Sequence, residues 1–317
     1  MALLEVQHIS KQLKGGLLID QISFEQKLLQ KIAIAGESGA GKTILLKMIS
    51  GHAQPDSGTI LFNGQRVIGP EEKLLAGHKE IGYLSQEHDL LHNYKVEDLV
   101  WFQNKLSDEE STTLFEICRI ADLMKRKTDQ LAGGEKQRIA LCMLLTKSPK
   151  MLILDEPFSN LDPIHTNILK SVLEDITERL QITCLLTSHD PNDTLSWADE
   201  IIVMKKGRII QQSTPEIIYH HPVNEYVAGM FGRYNLLIPE QAILFGIEAN
   251  EKNVIIRPED FIISANSENG VRGIVEKISF WGSFYEVEVR VDEFSIVVRL
   301  GKNEWEVGKE VYVCWKS

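Results

Sequence analysis

The stretch Gly36-Glu37-Ser38-Gly39-Ala40-Gly41-Lys42-Thr43 (GESGAGKT) follows the short apolar run KIAIA (31–35) and opens onto ILLKMIS (44–50). It has the form GxxxxGK[ST], with a strand pattern before it and a helical pattern after it. Such a loop turns successive backbone N–H groups toward an anion at the amino terminus of a helix. Lys42 would then reach the β- and γ-phosphates of a nucleotide, and the Thr43 hydroxyl would ligate Mg²⁺.

Around this loop the chain alternates strand and helix, which argues for an α/β fold. MLILD (151–155) and TCLLTS (183–188) are continuous apolar runs, as expected of strands buried on both faces of a parallel sheet, and a helical stretch, 163–180, lies between them. LLEVQHI (3–9), LLIDQISF (17–24) and IGYLSQ (81–86) also read as strands. Asn63-Gly64 predicts a hairpin turn over 59–68, and the apolar spacing over 96–126 predicts a small helical subdomain. Asp155 ends a buried strand, where a carboxylate is costly unless it serves a cation. Glu156 follows it and could act as a base toward water attacking a γ-phosphate. One further stretch, LAGGEKQR (131–138), places two adjacent glycines at the mouth of a helix, baring backbone where a helix would favour a side chain.

Taken in order, these motifs resemble those of the nucleotide-binding subunits of ATP-binding cassette (ABC) transporters. The resemblance covers about residues 3–235, with a helical subdomain at about 88–148. It implies ATP and Mg²⁺ as ligands, bound by the loop residues Gly36, Glu37, Ser38, Gly39, Ala40, Gly41, Lys42 and Thr43. It implies Asp155, Thr43 and Gln86 near the metal, Glu156 as catalytic base and His189 as a γ-phosphate sensor. It also explains LAGGE. In the family two cassettes pack head to tail, and the signature Ala132, Gly133, Gly134 and Glu135 of one closes on the nucleotide of the other, with Asp162 in the neighbouring D-loop. Glu135 replaces the signature glutamine, a common alternative in the family, and three further positions depart from the pattern. Ala132 replaces the signature serine, Leu13 stands where an aromatic residue stacks on adenine, and Leu29 stands where a turn glycine is usual.

After about residue 235 the texture changes to short β-rich runs, NVIIR through EVYVCW, separated by Gly, Asn and acidic residues. This predicts a small all-β barrel or sandwich over 236–317. RPEDFIIS (257–264) and GIVEKISFWGSFYEVEV (273–289) resemble the TOBE domain, an OB-like module of some import ATPases. The resemblance therefore implies the ATPase subunit of an importer, like those for polyamines, ferric iron, sulfate or sugars. It implies a homodimer of cassettes on the cytoplasmic face of the cell membrane, working with permease subunits and indirectly with a substrate-binding protein. The segment EHDLLHNYKVEDLVW (87–101) would receive a permease helix, with Leu90 and Leu91 as first anchors.

Composition narrows the alternatives. Asp plus Glu number 45 against 34 Lys plus Arg, a net charge of -11, which disfavours nucleic acid as the main partner. A soluble ABC ATPase acting on nucleic acid or translation would usually carry coiled-coil insertions or tandem cassettes, for which the chain has no room. A P-loop kinase or GTPase would leave LAGGE and His189 without purpose, and no NKxD-type guanine motif occurs. Cys118, Cys142, Cys184 and Cys314 are far apart, and the first three sit in apolar runs, which suits buried thiols in a reducing compartment. No signal peptide or membrane span is expected.

Overall fold

The computed structural model describes residues 2–13, 16–86, 90–249, 252–266 and 270–316, with the side chains of Leu13, Leu17 and Gln103 outside that description. The chain divides into two compact units, Met1–Pro215 and Glu216–Ser317.

The first unit opens with two long strands, β1 (Ala2–Leu13) and β2 (Gly16–Lys27), followed by β3 (Ile32–Ala35), α1 (Lys42–Ile49), β4 (Ser57–Phe62) and β5 (Gln65–Arg66). Asn63 and Gly64 both take positive φ, 49° and 72°, as the β4–β5 turn requires. Next come β6 (Ile81–Leu84) and three helices of the expected helical region, α2 (Val96–Gln103), α3 (Asp108–Ile117) and α4 (Gly133–Leu145). The unit closes with β7 (Met151–Leu154), α5 (Pro163–Arg179), β8 (Thr183–Ser188), α6 (Pro191–Leu195), β9 (Glu200–Lys205) and β10 (Arg208–Ser213).

Two sheets organise these elements. An antiparallel sheet runs β2-β1-β4-β5, and a six-stranded sheet runs β10-β9-β3-β8-β7-β6. In the latter only β10 is antiparallel to its neighbour. Every residue of β3, β7 and β8 is buried, which is why these strands read as unbroken apolar runs rather than alternating ones. Ile9, Ile22, Ile34, Leu45, Phe62 and Met151 belong to one core joining the two sheets through α1. The carboxyl ends of β3, β7 and β8 then point the P-loop, Asp155-Glu156 and His189 toward one edge of the sheet, where ligands of such folds bind.

The second unit contains α7 (Pro215–His220, beginning at the boundary), α8 (Glu225–Met230), β11 (Asn235–Leu237), α9 (Pro239–Leu244), β12 (Val254–Ile256), β13 (Phe261–Ser264), β14 (Val271–Phe280), β15 (Tyr285–Val291), β16 (Phe294–Leu300) and β17 (Glu310–Trp315). Its main sheet is antiparallel, in the order β13-β17-β14-β15-β16. Residues 216–235, grouped with the cassette on sequence grounds, fall in this unit, and Arg257 supplies a reason. Its buried guanidinium donates to the carbonyl oxygens of Tyr219 (2.8 Å), Ala228 (3.0 Å), Gly232 (3.2 Å) and Arg233 (3.1 Å), and it lies over the Tyr219 ring. No described helix is long and apolar enough to cross a membrane.

Candidate active site

The glycine-rich loop lies between β3 and α1, and Gly41, the residue before α1, has a φ of 101°. A β-carbon there would lie 2.7 Å from Ile19 Cδ1, so both backbone angle and space demand glycine. Lys42 begins the helix and is 7% exposed. Its ammonium donates to the Gly36 carbonyl (2.7 Å) and pairs with Glu156 Oε1 at 3.3 Å.

The two acidic residues after β7 are held differently. Asp155 is 2% exposed. It accepts from the Thr187 hydroxyl at Oδ1 (2.9 Å) and from the Tyr83 hydroxyl at Oδ2 (3.2 Å). Burial and the neighbouring Asp155 carboxylate raise the Tyr83 phenol well above its ordinary pKa, so it stays a donor. Glu156 has a φ of 50°, a costly left-handed conformation of the kind that persists at functional sites when the surroundings impose it. Part of that imposition is visible: its N–H donates to Thr187 Oγ1 (2.8 Å), while Oε2 meets His189 Nδ1 at 2.7 Å. Thr187 thus bonds the carboxylate of one acid and the backbone of the other.

Lys42, Glu156 and His189 face a cavity of about 610 Å³, lined by residues 38–44 together with Leu18, Lys47 and Gln86, whereas Glu37 and Asp155 are not among its lining residues. The sequence-derived residues Ser38, Gly39, Ala40, Gly41, Lys42, Thr43, Gln86, Glu156 and His189 therefore share one cavity. Gly36 contributes the carbonyl that holds Lys42. Leu13 lies in β1, and its side chain is outside the described set.

The signature stands apart. Ala132 precedes α4, and its N–H donates to Glu135 Oε2 (2.8 Å). Among the described residues, nothing beyond Gly133's chain neighbours and its own helix backbone lies within 4 Å of where its β-carbon would be, whereas one on Gly134 would lie 2.7–2.8 Å from the His165 side chain. The two glycines thus have different causes: the first faces open space, the second makes room inside its own chain. Asp162 caps α5, accepting from the His165 N–H (3.0 Å) and meeting its Nδ1 at 2.6 Å. These bonds lower the Asp162 pKa. Of the proposed docking anchors, Leu90 is buried at 9% exposure, since its side chain joins the core. Leu91 is exposed, as are Tyr94 and Phe102. Residues 87–89 of that segment lie outside the described residues.

Sequence reading missed Tyr83, Thr187, Leu18 and His165. Thr187 carried a signal: Leu154 pairs with Leu186 in the β7–β8 register, so the next residues, Asp155 and Thr187, stand side by side. Nothing in the sequence pattern marks His165.

The arrangement can hold a polyanion on the loop N–H groups and Lys42, beside a carboxylate–imidazole pair able to orient water. Residues 19–159 match the ABC transporter family and residues 254–317 match the TOBE domain. The chain is 31% identical to the spermidine/putrescine import ATP-binding protein PotA of Mycoplasma mycoides, over 99% of this chain and 95% of that protein.

The chain belongs to the ABC transporter family.

Within that family its relatives are import-type ATP-binding subunits. The sulfate/thiosulfate import ATP-binding protein CysA of Synechocystis is 29% identical over 97% of this chain and 92% of its own. The structure of cbiO1 from Clostridium perfringens, part of an ABC transporter complex, superposes with a TM-score of 0.61 at 27% identity, covering 68% of this chain and 90% of that one. A dimeric ATP-binding cassette bound to ADP and Pi, 21% identical with a TM-score of 0.58, shares the fold. This ABC protein is accordingly an ATPase of import type, with a TOBE domain after its cassette.

Proposed function

We propose that the cavity bounded by Lys42, Glu156 and His189 is where this ABC protein hydrolyses ATP, and that the energy drives uptake through membrane-spanning permease subunits. The observation that carries this reading is the meeting of Lys42, Glu156 and His189 within 3.3 Å contacts at the mouth of the phosphate loop.

Each residue has a task that its surroundings support. The N–H groups of the loop and the Lys42 ammonium would hold the β- and γ-phosphates. Glu156 would take a proton from the attacking water, with His189 fixing its carboxylate and sensing the γ-phosphate, and Gln86 would complete the water's surroundings. Thr43 and Asp155 suit Mg²⁺, because both offer hard oxygen donors and Asp155 is a buried carboxylate held by hydroxyls rather than by a cationic side chain. When bound, the ion would draw charge from the β- and γ-phosphate oxygens and fix the triphosphate. Lys42 now neutralises Glu156, so a triphosphate and the base compete for one ammonium.

In this reading Ala132, Gly133, Gly134 and Glu135, with Asp162, act across a head-to-tail homodimer on the partner's nucleotide. Gly133, open within its own chain, is the position where close approach is possible. The dimer would sit peripherally on the cytoplasmic face of the cell membrane. The exposed side chains of Leu91 and Phe102 would help receive the permease, and a substrate-binding protein would deliver cargo from the other side. Relatives named for polyamine and for sulfate import bracket the class of small hydrophilic cargo.

Vesicles containing the assembled transporter test this: uptake should require internal ATP and fail with Lys42→Ala. Intact ATPase activity without permease association, combined with stimulation by nucleic acid, would favour the soluble alternative.

A further inference from the structure

Every residue of β8 is buried, and in such a strand a hydroxyl is costly unless it is bonded. Thr187 is 0% exposed, and its hydroxyl is used twice. It accepts from the Glu156 N–H (2.8 Å) and donates to Asp155 Oδ1 (2.9 Å). An N–H can only donate and a hydroxyl carries one proton, so the two bonds fix each other's direction. Valine would fill nearly the same volume and make neither bond.

A second hydroxyl reaches the same carboxylate from the other side of β7. That strand lies between β6 and β8, and Tyr83 of β6 stands in register with Ile153, two residues before Asp155. Residues two apart on a strand share a face, which brings the Tyr83 hydroxyl to Asp155 Oδ2 (3.2 Å). The Asp155 N–H is held as well, donating to the Leu84 carbonyl (2.9 Å). Each carboxylate oxygen accepts one of these hydroxyl bonds and has capacity left for a cation. The Thr187 bond to the Glu156 N–H meanwhile supports a backbone whose φ of 50° is costly by itself.

We propose that Thr187 and Tyr83 are positioning residues whose hydroxyls clamp the Asp155 carboxylate for Mg²⁺, and that Thr187 also ties it to the backbone of the base Glu156. This rests on the reading of the site given above. The clamp joins the acid that serves the metal to the acid that serves the water. One hydroxyl lost from β8 loosens both, whereas the phosphate loop, between β3 and α1, is left intact.

The test measures Mn²⁺, which takes the same hard oxygen donors, by electron paramagnetic resonance on the full chain with a non-hydrolysable ATP analogue. Thr187→Val should weaken Mn²⁺ binding by about 10- to 100-fold, the scale for losing a group that orients a metal-ligating side chain. It should lower kcat by at least about ten-fold, with KM for ATP at saturating Mg²⁺ within about three-fold of wild type. Thr187→Ser, which keeps the hydroxyl, should return all three to within about three-fold of wild type. Tyr83→Phe should weaken Mn²⁺ binding by about three- to ten-fold, and it carries the test if Thr187→Val does not fold. Wild-type Mn²⁺ affinity in either folded variant would overturn the clamp. So would a Thr187→Ser protein as impaired as Thr187→Val, which would make the residue one of packing. With the metal chelated, Thr187→Val should bind the analogue as wild type does, and a loss there would overturn the proposal by showing general damage to the site. Lys42→Ala should lose that metal-free binding, and its retention would refute the phosphate loop rather than the clamp.

Discussion

The ring of His165 crowds the space where a β-carbon on Gly134 would stand, 2.7 Å away at its nearest atom, while a β-carbon on Gly133 would meet no described atom within 4 Å beyond its chain neighbours and its own helix backbone. Adjacent glycines in one motif thus separate a folding requirement from a functional one. Gly134→Ala should destabilise the isolated protein by about 1–3 kcal/mol, as overpacking does. Gly133→Ala should leave stability unchanged or raise it by up to about 1 kcal/mol, because alanine is the better helix former. It should nonetheless lower ATPase by about an order of magnitude or more, if the partner's nucleotide approaches that backbone. Denaturant melts paired with steady-state rates check the split, and equal stability losses for both variants would contradict it.

Ala132 precedes the same helix and offers no hydroxyl. A hydrogen bond to a charged group contributes roughly 1.5–3 kcal/mol. Ala132→Ser should therefore raise ATPase several-fold in the assembled transporter, by adding a donor toward the γ-phosphate. The Glu135 carboxylate already caps the Ala132 N–H, so the helix start should not change. An unchanged or lower rate with normal nucleotide affinity would show that the site is adapted to alanine.

Arg257 predicts a stability effect far from any chemistry. Removing its guanidinium would take a charged donor from four backbone carbonyls inside the C-terminal unit. Arg257→Ala should cost about 3–5 kcal/mol, the scale for breaking a buried charged network. Arg257→Lys should recover little of it, because an ammonium cannot reproduce the planar fork. Hydrogen exchange localised to α7, α8 and β12 would report the loss, and wild-type protection in Arg257→Ala would contradict it.

The chain's local patterns made much of the fold legible. Apolar runs gave the buried strands β3, β7 and β8, and Asn63-Gly64 gave the β4–β5 turn. The phosphate loop and the Asp155-Glu156 pair were legible because their chemistry needs particular residues at fixed spacing. Thr187 was hidden because a threonine inside an apolar strand looks like packing until the register sets it beside Asp155. His165 and Arg257 were hidden for a different reason: their partners, Gly134 and the carbonyls of 219–233, come from distant sequence and leave no local period. Leu29 keeps the left-handed backbone of the expected turn, with a φ of 62°, although it is not glycine.

Two histidines near the P-loop helix give the pH dependence its sign. Burial lowers the pKa of His52, helped by Lys47, and burial also lowers that of His78, both from an ordinary 6.5. The His52 ring lies on Tyr83 and the His78 ring edge-on to Phe62, each at 5.2 Å between centroids. In both cases the unfolded chain binds the proton first. Stability is thus complete above the unfolded pKa of 6.5 and falls as pH drops below it. Denaturation midpoints should decline between about pH 7 and pH 5, and a His52→Gln, His78→Gln double variant should flatten that slope. An unaltered slope in the double variant would assign the effect to carboxylates instead.

The most direct test of the central claim is the fate of Mg·ATP on Glu156→Gln. The substitution removes the proposed base and also frees Lys42, which now lies 3.3 Å from Glu156 Oε1. Turnover should fall by at least about 10²-fold. Nucleotide affinity should hold or increase, and the protein should accumulate as a nucleotide-bound dimer by light scattering. Near-normal hydrolysis by Glu156→Gln would show that water is activated elsewhere and would contradict the assignment of this site.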